Sequence, residues 1–165
     1  MSTQQEIKAL YNILGASLIP SGSSGYIPGL GYKVTATARA HANGDTNTFT
    51  VSAGGLAIVT LIYGVVTVAA GAACTITAGS NPTLGTMTTV AWSVAADVDA
   101  LDVGDSICMN YVAGTLTTVL TGVSGNYKLF APAGTIFVRG SAVQGSSQWT
   151  LYYIPVISGT TIVTV

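Results

Sequence analysis

Few side chains in this sequence can do chemistry, and they are one histidine, two cysteines and six acids. His41 is the sole imidazole, so any Ser-His-Asp or Cys-His nucleophilic arrangement would have to be built around it. No Gly-x-Ser-x-Gly elbow is present, and Gly22-Ser23-Ser24-Gly25 misses that spacing. His41 shares a polar strand face with Arg39, which favours a solvated or interface histidine. One histidine and two distant cysteines, Cys74 and Cys108, do not make a structural zinc site. Outside a secretory setting the two cysteines read as buried thiols packing as small apolar side chains; a disulfide would require neighbouring strands.

Four of the six acids fall in one run, Asp97-Val98-Asp99-Ala100-Leu101-Asp102-Val103-Gly104-Asp105. Carboxylates clustered with glycine are suitable ligands for calcium, so Asp97, Asp99, Asp102 and Asp105 are the candidate metal residues. The spacing is not that of an EF-hand, no Glu closes the loop, and Asp favours turns, so an exposed acidic loop is the plain alternative. Gly29-Leu30-Gly31 lacks the third glycine of a dinucleotide fingerprint and leads into a strand. Paired carboxylates for glycoside hydrolysis would need a cleft with sugar-stacking aromatics, which a sequence cannot establish. The expectation is a non-enzyme with no catalytic residue and no cofactor.

Charged residues make up 7% of the chain with a net charge of −1, so there is no basic stripe to neutralise phosphates and nucleic acid is not an expected partner. So little charge fits a membrane protein, a fibre, or a subunit covered by copies of itself or by partners. Residues 54–73 carry no charge and at helical rise would reach across a bilayer. Yet no Lys or Arg flanks the segment, and Ile58, Val59, Thr60, Ile62, Val65, Val66, Thr67 and Val68 are β-branched, with Gly64 among them. The composition predicts buried strands over 56–69 and no membrane partner. The opening residues show no basic or apolar export signal, so synthesis in the cytoplasm is expected.

Residues 3–14 form the one predicted helix. Thr3 and Glu6 make a capping box, Ile7, Leu10, Tyr11 and Leu14 form an apolar stripe, and Gly15 is placed to stop it. Residues 15–31, rich in Gly and Ser with Pro20 and Pro28, read either as an arm lying along a surface or as a loop packed on its own domain. Residues 32–42 alternate without an error, with Tyr32, Val34, Ala36, Ala38, Ala40 and Ala42 on one face. Asn43-Gly44-Asp45 supplies hairpin chemistry into the next strand. Further strand-like runs cover 56–69, 73–78, 84–95, 106–112, 115–121, 135–143, 148–154 and 160–165. The predicted fold is all-β, an antiparallel β-sandwich of jelly-roll type, with a short N-terminal helix and extended arm over 1–31 and the sandwich domain over 32–165.

Residues 130–156 read as strand, glycine turn and strand, with Trp149, Leu151 and Tyr153 alternating against Thr150 and Tyr152. With Val103-Gly104-Asp105-Ser106-Ile107 and the Thr-rich run 115–122, this stretch resembles the C-terminal half of small β-sandwich structural proteins of tailed bacteriophages that decorate or cement capsids. The resemblance covers roughly residues 100–160 and is one of pattern. It implies a virion protein of the phage head, commonly a homotrimer, whose partners are its own copies and the major capsid protein. A major capsid, tail or fibre subunit, or a carbohydrate-binding surface sandwich, is the alternative. By residue type the expected interface comprises Ile7, Leu10, Tyr11, Leu14, Tyr26 and Tyr32, while Trp92 and Trp149 belong either to the core or to an interface.

Overall fold

A strand pairs along two edges, and the longest uncharged run of this chain has both edges occupied. The computed structural model describes residues 26–27, 29–83, 89–108 and 129–165, and over these the protein is all-β, without a helix. Most of the run expected to be buried strand lies in β4 (Gly44–Val68). The other strands are β1 (Tyr26–Ile27), β2 (Gly31–Thr35), β3 (Arg39–Ala40), β5 (Thr75–Pro82), β6 (Val90–Ala91), β7 (Ala96–Asp97), β8 (Ser106–Cys108), β9 (Leu129–Gly140), β10 (Ser146–Pro155) and β11 (Ile162–Thr164). The sheet runs β1-β2-β10-β4-β9-β5-β6, every strand pair in it is antiparallel, and β3, β7, β8 and β11 attach at its margins. Among the described residues no helix is long and apolar enough to cross a membrane.

Drawn straight, the 25 residues of β4 would extend about 80 Å, so the strand breaks its pairing part-way. Val51 faces Gly134 and Leu56 faces Pro132, which leaves residues 52–55 opposite Ala133 alone, a wide bulge. Gly54 supplies the left-handed backbone the bulge needs, with φ of 70°. The other edge breaks at the same level: β10 leaves β4 at Ala57, β11 joins it at Val51, and residues 156–161 make an excursion between them. Thr160 closes that gap. Its hydroxyl accepts the Leu56 amide at 3.1 Å, while the Ser52 amide donates to the Thr161 carbonyl and the Ser52 hydroxyl accepts from the Thr161 amide.

Past the bulge β4 alternates. Ala57, Val59, Ile62 and Val66 are buried, whereas Ile58, Leu61, Tyr63 and Val65 are half-buried on the other face. The alternation skips one position at Thr60, where the register against β10 shifts. Gly64 faces Trp149, and a methyl group there would lie 2.9 Å from the indole, so the glycine is the floor on which the ring rests. Trp92 and Trp149 both lie in the core, with Phe49, Ile76, Ile136 and Leu151.

Two expectations are corrected. Residues 32–42 are not one strand: β2 and β3 are separated by residues 36–38, and both pair with β10 rather than with each other's continuation. The break shifts the alternation by one, so Ala38 and Ala40 are exposed and His41 turns inward. Nor does Asn43-Gly44-Asp45 close a hairpin: β3 pairs with Ser146 and Ser147 of β10, and the first residues of β4 pair with β9. The predicted helix over 3–14, with Ile7, Leu10, Tyr11 and Leu14, and the predicted strand over 115–121 lie outside the described residues.

Two substitutions test the bend and the floor. Thr160→Val removes the acceptor for the Leu56 amide and is expected to cost about 1–3 kcal/mol. Gly64→Val drives a branched side chain into Trp149 and is expected to cost about 1–3 kcal/mol or more, with a changed tryptophan emission. Urea titrations followed by fluorescence measure both, and neutral outcomes would contradict the packing described.

Candidate functional site

The margin of the sheet formed by β1 and β2 contains both tyrosines of the expected interface that the structure describes. β1 pairs with β2 through Tyr26↔Tyr32 and Ile27↔Gly31. Tyr26 is 41% and Ile27 40% exposed, so both present apolar surface on β1, the outermost strand among the described residues. Tyr32 does not, being 1% exposed. Its ring lies edge-on to Tyr26 with centroids 5.3 Å apart and is tilted against Tyr153 at 5.6 Å. Among the described residues its hydroxyl has no hydrogen-bond partner. Burial raises its pKa above the usual phenol value, and the neighbouring Tyr26 and Tyr153 add to the rise. Tyr32 is therefore a core residue that supports Tyr26.

The acidic run joins β7 to β8 and folds on itself. The Asp97 carboxylate accepts the Asp99 amide at 3.2 Å, and the Asp105 carboxylate accepts the Asp102 amide at 2.9 Å. These are the side-chain-to-backbone bonds by which Asp holds a turn. Among the described residues no three or more His, Cys, Asp or Glu side chains converge as a metal site, so the four carboxylates are not brought together as a calcium cage. The loop is fixed to the end of β4 by the Val66 amide donating to the Asp105 carbonyl and the Gly104 amide donating to the Val66 carbonyl.

That end of β4 is apolar at its tips. Val68 is 56% exposed, Val103 in the acidic loop 66% and Val143 in the loop after β9 70%. Ser146 pairs with Val68, and Gly145 lies against the Val68 carbonyl, so the three segments meet there. Elsewhere charge is sparse. Arg139 forms an ion pair with Asp45, which also accepts from Asn81. The Arg139 bond holds the Asp45 carboxyl below its ordinary value.

The cysteines are both free, and they differ: Cys74 is buried and Cys108 is exposed, which corrects the expectation of two buried thiols. Cys74 belongs to a polar cluster that the sequence did not reveal. His41, 5% exposed, has Nε2 at 2.8 Å from the Ser147 hydroxyl and Nδ1 at 4.0 Å from Cys74 Sγ. Burial lowers the His41 pKa, and a bond to the Gln144 backbone pulls the other way. The partners lie 33 and 106 positions from His41, and no local pattern announces such distant neighbours. A nucleophile needs access, and the depression beside His41 is lined by Arg39, His41, Thr46, Thr48 and Trp149, while Cys74 is buried and does not line it. The arrangement is that of a satisfied buried network.

Compared with known proteins, the chain matches no protein-family model, no curated protein and no solved structure.

The two thiols give a direct check. In the native protein at neutral pH an aromatic disulfide reagent should modify one thiol promptly, and Cys108→Ser should remove that reaction. Prompt labelling of two thiols would place Cys74 outside the core.

Proposed function

We propose that this protein is a structural subunit of a virus particle, and specifically a decoration or cement protein that binds the assembled phage head between capsid subunits. The carrying observation is a nearly uncharged β body whose end exposes Val68 at the close of β4, Val103 in the acidic loop and Val143 in the loop after β9. Contiguous exposed apolar side chains mark surfaces that other molecules cover. The exposed Tyr26 and Ile27 on β1 offer a second such surface. The pattern of residues 100–160, which resembles phage decoration proteins, supports the same reading. Such a protein needs no chemistry. It binds the shell better than the separate subunits, and so stabilises the shell by mass action.

On this reading the bent sheet closes into two layers as a jelly-roll-like sandwich. The support is that Trp149 on β10 shares a depression with Thr46 and Thr48 on the first half of β4 and Val138 on β9. The partners are further copies of this chain, as a trimer, and the major capsid protein, and the location is the virion.

Light scattering and co-sedimentation with phage heads test the proposal. The expected result is a trimer that pellets with heads, and Val68→Lys with Val143→Lys, on exposed tips, should weaken binding by about tenfold or more without loss of fold. A monomer that leaves heads unbound, or a folded double variant that binds as the parent does, would overturn the assignment.

A further inference from the structure

His41 is the one side chain here whose ordinary titration lies between about pH 5 and 8, and the fold places it on a seam. Three segments converge on it. β10 contributes Ser147, fully buried, with its hydroxyl 2.8 Å from Nε2. The chain entering β5 contributes Cys74, 4.0 Å from Nδ1. The segment after β3 is held by the His41 amide on the Gly145 carbonyl and by the Gly140 amide on the Ala42 carbonyl.

A neutral imidazole has one N–H and one lone pair, which suits a hydroxyl and a thiol that each donate or accept. An imidazolium has two N–H groups and no lone pair. Ser147 can rotate to accept one and the Gln144 backbone favours the cation, but burial outweighs that bond, and Cys74 Sγ is a weak acceptor whose own hydrogen then points at the ring or must leave its carbonyl neighbours, Thr75 and Ala142. Among the described residues nothing facing the ring carries a compensating negative charge. Arg39 shares the depression and is cationic, Thr46, Thr48, Val138 and Trp149 are uncharged, and Asp45 on the neighbouring stretch of β4 is engaged by Arg139 and Asn81.

We propose that His41 is an acid-operated latch, in which uptake of a proton by its ring parts β3 from β10 and bares the Cys74 thiol. The inference does not depend on what the protein assembles with. Burial already disfavours the cation in the closed seam, so the opened seam binds the proton more readily. By linkage, the closed form is fully favoured above the ordinary histidine value of 6.5 and loses ground as pH falls below it.

The test uses the full chain with Cys108→Ser, so that Cys74 is the one thiol, and 4,4′-dithiodipyridine as the probe. Protection is the labelling rate of the urea-unfolded chain divided by that of the native chain at the same pH. It is expected to fall by about fivefold or more between about pH 7.5 and about pH 5, because the open form binds the proton more readily than the closed one. In the same chain with His41→Gln, protection should stay flat. Constant protection in the parent, or an equal fall in both chains, would overturn the latch. So would a loss of global stability, measured by urea unfolding at the two pH values, large enough to account for the whole effect. Should His41→Gln fail to fold, the parent decides alone. The NMR titration of its single imidazole must share its midpoint with the loss of Cys74 protection, and separate midpoints would overturn the proposal.

Discussion

The structure is organised by the need to cover both edges and one face of a long strand that carries charge only near its start. An unpaired backbone amide or carbonyl away from water costs more than most side-chain contacts return, so a strand as apolar as β4 has to be paired along its length. β9 and β8 supply one edge, β10 and β11 the other, and β2 and β5 extend the sheet outward from these. The bend follows from the same requirement. All three long runs break at one level, at residues 52–55, at Ala133 and at 156–161, and Thr160 and Ser52 supply the hydrogen bonds that the interrupted ladder lost. Bulges that interrupt a ladder re-aim the strand.

Much of this was legible because composition and punctuation act locally. The β-branched, uncharged run reads as strand and is one; the runs at 73–78, 135–143, 148–154 and 160–165 fall on β5, β9, β10 and β11. Asp97 and Asp105 sit in the exposed turn that aspartate chemistry suggests. Where the reading failed, partners distant in sequence decided. The regular alternation of residues 32–42 breaks because two short pieces meet different parts of β10, and Asn43-Gly44-Asp45 makes no hairpin because β3 is taken by β10 and the start of β4 by β9. Tyr32 shows the same limit: residue type suggested an anchor on a surface, and Tyr26 together with Tyr153 enclosed it instead.

The polar cluster around His41 was hidden for a related reason. Period-two patterning assigned the ring to a solvated face, and a one-residue slip reverses every assignment beyond it. Once inside, the ring needed partners, and it found them in Ser147 and Cys74, one on each neighbouring segment. A buried histidine with neutral partners and no acid facing it depends on its protonation state for its stability, whereas the surface pair Asp45 and Arg139 is solvated and its individual contribution is small.

The pairing of β4 also bears on how the chain is made. Residues 44–68 find every ladder partner between Ser106 and Thr164, so no ladder partner near them in the chain can shield them. As the polypeptide leaves the ribosome, its stickiest segment emerges early and waits for the last third to be translated. Folding is thus dominated by distant closures, which are slow, and an unpaired apolar strand is open meanwhile to the wrong neighbour. Yield in a cell should therefore depend on chaperone capacity and translation rate more than on the stability of the finished molecule.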